Sequence, residues 1–230
     1  MIIAIHQPNF LPWLGYFYKI AKSDIFVLLD NVKYSKNSFI NRNKIKTPQG
    51  NEIWLTVPAK SNGLSEQFIK SVQISNQTDW RRKHLQTLEM SYKRAKFFDQ
   101  IYDDIKKIYY ESDWNNLCLF NTSLLTLILN KLNLKNQVIM ASELNIEEES
   151  TTLLINIVKK LGGEAYLSGY GGSKYQEEDL FKKANITLQY YDFKHPIYSQ
   201  LWGEFIPKLS IVDLLFNCGP ESLSILMGVE

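Results

Sequence analysis

Apolar and polar positions at the start of the chain, MIIAIHQPNFLPWLGYFYKI, change period twice within a short stretch. Met1 to Ile5 is an isoleucine-rich run suited to a central strand, and Pro8, which has no amide hydrogen, predicts that this strand ends near His6. Pro12 suits the first turn of a helix whose apolar stripe is Leu14, Phe17, Tyr18, Ile20 and Ala21, and Asp24 then introduces a second strand in IFVLLD. The opening therefore reads as a strand, helix, strand unit.

Beyond it, TPQGN is turn chemistry between two strand-like runs and predicts a hairpin, with FIKSVQIS as a candidate third strand. From Asp79 the spacing becomes helical: Trp80, His84, Leu85, Leu88 and Tyr92 share one face, and Phe98, Ile101, Tyr102, Ile105 and Tyr109 continue it after a break near Lys96. An apolar helix from Trp114 to Leu132 follows. Strand and helix then alternate: QVIMAS, a helix over 150–161 stopped by Gly162 and Gly163, EAYLS, a helix over 176–184, and ITLQYYDF. Such alternation predicts an α/β fold with a mainly parallel, Rossmann-like sheet flanked by helices, and a β-hairpin insertion after the second strand. In SIVDLLFNCGPES, Ser210 caps a helix with Asp213 three residues on, Gly219 ends it, and Pro220 starts a short further helix. The expectation is one α/β domain over 1–230, with residues 33–78 as its β-rich insertion.

Composition narrows the partners. With 26 basic and 24 acidic residues, charge alone argues for neither nucleic acid nor an anionic membrane, so any anion site is local. Cys118 and Cys218 lie in apolar helical stretches without metal or redox spacing and read as small buried residues of a reducing, cytoplasmic compartment. The start lacks a signal-peptide pattern, and LCLFNTSLLTLILNKL, interrupted by Asn121, is too short to span a bilayer. Aromatic residues make up 13% of the chain, enough to line a sugar or base site as well as fill a core.

Ligands of open parallel sheets sit beyond the carboxyl ends of the strands, and four strand ends here carry polar or glycine-rich residues. His6 and Gln7 follow the first strand. Asp30 and Asn31 end the second, Ser168 and GYGG follow EAYL, and Asp192 with His195 follows ITLQYY. His6 suits phosphate binding or proton transfer, against a core histidine bonded to a backbone carbonyl. Asp30 either orients that histidine, holds a sugar hydroxyl or caps the next turn. Arg42, on the strand face opposite Asn43, is a fork for phosphate or carboxylate, or a solvated charge. Lys60, at a strand end in TVPAK, is a similar cation. In SGYGGSKY, Gly169, Gly171 and Gly172 exceed what one turn needs, which lets backbone amides approach an anion with Lys174 and Tyr175 flanking it. His195, before a proline, points sideways from a loop. No G-x-S-x-G elbow, paired cysteines or H-E-x-x-H is present, and three scattered histidines predict neither metal nor cofactor.

Four stretches, HQPNFLPWLGYFYKIAKSDIFVLLDNVKYSKNSFINRNKIK, WLTVPAK, LSGYGGSKY and HPIYSQLWGEFIPKLSIVDLLFNCGPES, together resemble the WbqC-like family. The resemblance implies a bacterial cytoplasmic protein encoded among genes for surface polysaccharide, such as O-antigen, or for modified sugars. It also implies a transferase that places an aminoacyl group, glycyl in one version, or an acyl group on an amine. Its characteristic positions here are His6, Gln7, Pro8, Asp30, Arg42, Asn43, Gly169, Gly172, Tyr175, His195, Tyr198 and Asp213. A second likeness runs to the H-x-G-H nucleotidylyltransferases, from which HQPN departs by lacking the glycine and the second histidine. The expectation is a group transferase on a nucleotide-linked sugar, with His6 as general base, Asp30 and His195 as further catalytic groups, and Arg42, Lys60 and the glycine loop holding the diphosphate. A nucleotidylyltransferase and a non-catalytic sugar- or nucleotide-binding module are the alternatives. The partner is a small molecule rather than nucleic acid, and the oligomeric state stays open.

Overall fold

The computed structural model describes residues 1–60, 63, 66–173 and 176–228. In chain order its elements are β1 (Ile2–His6), α1 (Leu14–Ala21), β2 (Ile25–Leu28), β3 (Arg42–Lys46), β4 (Glu52–Thr56), α2 (Trp80–Tyr92), α3 (Phe98–Tyr110) and α4 (Leu117–Lys131). There follow β5 (Gln137–Met140), α5 (Ser150–Lys160), β6 (Ala165–Ser168), α6 (Glu178–Lys183), β7 (Thr187–Tyr190), α7 (Ile211–Cys218) and α8 (Ser222–Met227). Among the described residues no helix is long and apolar enough to cross a membrane.

Contacts group the chain into two compact units. Met1–Pro8, Gly15–Val32 and Asn136–Lys194 form the first, and Asn9–Leu14, Lys33–Lys135 and His195–Glu230 the second. In the first unit five strands form one all-parallel sheet in the order β5-β2-β1-β6-β7. The strand pattern is legible in β1. Ile3 and Ile5 face a cluster with Leu153, Ile157 and Val158 of α5 and Phe181 of α6. Ala4 and His6 alternate to the other face, where Tyr16 of α1 packs on Phe26 of β2, ring centroids 5.1 Å apart. Helices thus cover both faces, as a parallel sheet requires. Gly163 admits no side chain, because a Cβ there would stand 2.5 Å from Ile3.

In the second unit β3 and β4 pair antiparallel across the expected turn, with Gly50 at φ +76°. FIKSVQIS does not form the expected third strand. Ile69–Ser71 is a 3₁₀ turn, and the residues after it make only isolated bridges. Its backbone groups go to separate segments: Lys60 N–H donates to Gln73, Ile74 N–H to Asn115, and Leu117 N–H to Val72, so no continuous ladder forms. α4 starts three residues later than its apolar run, where Asn116 accepts a hydrogen bond from Leu119 N–H. Asn121, which interrupts that run, is buried and donates to the Ile40 carbonyl. Ser210 caps α7 as expected by accepting from Val212 N–H. Asp213 does not complete a capping box: its carboxylate turns inward and accepts from Tyr92 and Tyr198.

Candidate functional site

Sheet order puts β1 between β2 and β6, so the chain winds outward in both directions from the β1–β6 pair. That is the topological switch point, where the loops after two neighbouring strands part and leave room for a ligand. His6 and Gln7 end β1; Ser168 and the glycine turn end β6. The parallel register Ala4 with Leu167 carries Gly169 towards the level of His6.

His6 is half-buried against α1, its ring edge-on to Tyr16 at 4.7 Å. Its Nδ1 lies 3.2 Å from the Gln7 carbonyl, which also accepts from Tyr16 Oη at 3.1 Å. A carbonyl only accepts, so Nδ1 carries the hydrogen and Nε2 the lone pair. Among the described residues Nε2 makes no hydrogen bond. Burial, then the nearby Lys19 ammonium, lower the imidazole from 6.5 to about 3, so the ring is neutral at physiological pH. Lys19 is itself 2% exposed and donates to the Ile5 carbonyl at 2.7 Å, with the Tyr166 ring 5.7 Å away. Burial brings it down to about 7.

After β6, Tyr170–Gly172 form a 3₁₀ turn closed by Gly172 N–H donating to Gly169. Gly172 is there because a Cβ would meet Gln176 Nε2 at 2.6 Å and Ser168 Oγ at 2.7 Å; these two side chains bond each other at 2.8 Å. At Gly169 a Cβ would press on the Tyr191 hydroxyl at 3.1 Å. Gly171 is exposed and open. Tyr175, expected beside this loop, lies outside the described residues, as does Lys174. Half-buried rings complete the edge: Tyr18 packs on Tyr191 and Phe193, and the exposed Tyr170 stacks on Tyr190.

Asp30, in the same unit, is buried and accepts from Ser142 N–H at 2.8 Å and Ser142 Oγ at 2.6 Å. Among the described residues its carboxylate is spent on the turn after β5, 112 positions on, and not on the turn that directly follows it in the chain. The other candidates belong to the second unit. His195 spends both ring nitrogens: Nδ1–H donates to the Pro196 carbonyl at 2.8 Å, and Nε2 accepts from Lys208 N–H at 3.0 Å. Asn43 is buried and donates to the Leu11 carbonyl at 2.6 Å, pinning the 9–12 segment. The Tyr198 hydroxyl donates to Asp213 at 2.9 Å in a buried network with Tyr92 and Gln200. Burial, then the Asp213 carboxylate, push both phenols up, and burial raises the Asp213 carboxyl. Lys60 is exposed, bonds Gln73 Oε1 at 2.8 Å, and lines a polar cleft of about 760 Å³ with Gln67, Ser71 and Thr78. Arg42 lies over the Trp54 ring at 4.4 Å and donates to the Asn37 carbonyl at 2.6 Å. No carboxylate pairs with it among the described residues, and its enclosed Nε has no hydrogen-bond partner there.

Sequence reading missed Lys19, Tyr16, Trp54 and Gln176, the partner of Ser168. The signal for Lys19 was present: a lysine one residue before Ile20, inside the apolar stripe of a helix otherwise buried, is out of place on a solvated face.

The WbqC-like protein family model matches residues 7–225. The uncharacterized protein Rv1507c of Mycobacterium tuberculosis is 37% identical over 221 residues, which cover 96% of this chain and 95% of that protein. No solved structure matches the chain. With the family model spanning nearly the whole sequence and a relative aligned end to end, the chain belongs to the WbqC-like protein family.

Proposed function

We propose that the chain is a cytoplasmic group transferase of surface-polysaccharide or modified-sugar biosynthesis, moving an aminoacyl group, glycyl for instance, or an acyl group onto an amine of a nucleotide-linked sugar. The observation that carries this reading is the placing of His6 at the switch point, its Nδ1–H held by Gln7 and its Nε2 lone pair without a hydrogen-bond partner among the described residues. In the transfer, the acceptor nitrogen forms the bond to the acyl carbon, the donor's leaving group departs with its electron pair, and the proton shed by nitrogen passes to Nε2. The glycine turn supplies backbone amides for an anion, and the tyrosines beside it supply faces for a sugar or base. Within the second unit, taken by itself, Arg42 stacks on Trp54 and has no carboxylate partner among the described residues, which leaves its guanidinium suited to an anion such as phosphate.

The test is to offer amino-sugar nucleotides with acyl and aminoacyl donors and follow mass gain on the sugar nucleotide. Product formed by wild type and lost in His6→Asn supports the reading. Pyrophosphate released from a nucleoside triphosphate instead marks nucleotidyl transfer, and tight binding with neither signal marks a binding module.

A further inference from the structure

We propose that Lys19 is a positioning residue for His6: its buried ammonium governs whether the imidazole can take up a proton, so that the pair, and not the histidine alone, sets when the strand end acts as a base. The inference rests on the transfer reading only for its catalytic meaning; the coupling itself is a property of the unliganded protein.

An ammonium 2% exposed is expensive unless neutralised, and among the described residues no carboxylate lies within ion-pair distance of Lys19. Its one hydrogen bond goes to the Ile5 carbonyl, the peptide that leads directly into His6. The Tyr166 ring faces it from the neighbouring strand. A charge held there without a counter-ion does little for stability, but it stands where it raises the energy of an imidazolium on the next residue. Among the described residues, the groups that face the pair from α1, β6 and β2 are two tyrosines and a leucine. From α1, Tyr16 meets the imidazole edge-on. From β6, the Tyr166 phenol is pushed up to about 12 by burial and stays neutral. The β2 neighbour in register with His6 is Leu28. While Lys19 is charged it adds to the burial that holds His6 neutral; once Lys19 releases its proton, near pH 7, its share of the opposition to an imidazolium is removed and that of burial remains. A proton can therefore sit on Lys19 or on His6, but the two together are disfavoured.

The chain has three histidines, so ¹³C,¹⁵N-histidine labelling gives three ring systems, with His6 identified by its loss in His6→Asn. Without substrate, the wild-type His6 ring is expected to show a chemical-shift inflection near pH 7 without protonation, and to protonate only in acid. Lys19→Met should remove the inflection and raise the His6 midpoint by about one pH unit or more. Lys19→Arg should also remove the inflection yet keep the low midpoint, because a guanidinium does not titrate in this range. A folded Lys19→Met protein with an unchanged His6 midpoint overturns the proposal. If that variant does not fold, wild type decides: a ¹³C-labelled Lys19 titrating at its ordinary 10.5, with no inflection at His6, overturns it equally. Failure here leaves group transfer standing, whereas absence of any transfer product leaves the coupled pair standing.

Discussion

Two histidines occupy contrasting surroundings. His6, at a strand end of the first unit, uses one ring nitrogen on its own loop and, among the described residues, leaves the other without a hydrogen-bond partner. His84, in the second unit, uses both: Nε2–H donates to the Thr56 carbonyl at 3.0 Å, and Nδ1 accepts from Tyr109 Oη at 3.2 Å, with Trp80 edge-on to the ring. Burial lowers both, to about 3 and about 4, so neither is charged at pH 7. The difference teaches that burial and a perturbed proton affinity do not by themselves mark a working residue. What separates the two is the unspent lone pair and its place at the edge of a parallel sheet.

The largest effect that tests this contrast is on turnover. His6→Asn is expected to keep the fold and to lower transfer by about 10²-fold, the usual scale for losing a general base. Early melting with normal turnover of the folded fraction would put His6 in the same class as His84. In the reverse experiment, His84→Ala removes two hydrogen bonds and opens a cavity beside Trp80. It should cost about 2–4 kcal/mol in denaturant titration, while the folded protein keeps its turnover.

Acid stability separates the two histidines more finely. Each has a native proton affinity below its unfolded value of 6.5, so the unfolded chain binds more protons and stability falls as pH drops below 6.5. The contribution of His84 levels off near pH 4, and that of His6 continues to about pH 3. Denaturation curves for His6→Asn should therefore be flatter than wild type between pH 4 and 3, and an unchanged slope there would contradict the depressed His6. Arg42→Lys loses the guanidinium fork and its seat on Trp54, so the KM for a nucleotide-linked sugar should rise more than kcat falls. The smallest effect distinguishes two glycines of one turn. Gly172→Ala should lower Tm by several degrees because its Cβ meets Ser168 and Gln176, whereas Gly171→Ala, with nothing within 4 Å, should leave Tm nearly unchanged.

Much of the first unit is legible in the sequence itself. The Ile-rich β1, its stop before Pro8, the apolar stripe of α1 and the alternation from β5 to β7 are written in runs of a few residues, and all five strands took the parallel arrangement that this alternation predicts. The second unit was legible where its signal was equally local, in the hairpin turn and the helical spacing of α2 and α3. It was misread at FIKSVQIS, whose strand-like composition found no single partner edge.

By itself the sequence determined the fold class and the delivery of His6 and the glycines to strand ends, because hydrophobic period and proline chemistry act between neighbours in the chain. Only the tertiary structure decided what those groups do there. Asp30 meets Ser142 across 112 positions, Tyr92 meets Asp213 across 121, and Lys19 reaches back 14 to Ile5. Hydrogen-bond partnership and the loss of water around a charge depend on which distant side chains arrive in the same place. At His195 both ring nitrogens are taken by nearer groups, Pro196 and Lys208, whereas among the described residues Nε2 of His6 meets no hydrogen-bond partner.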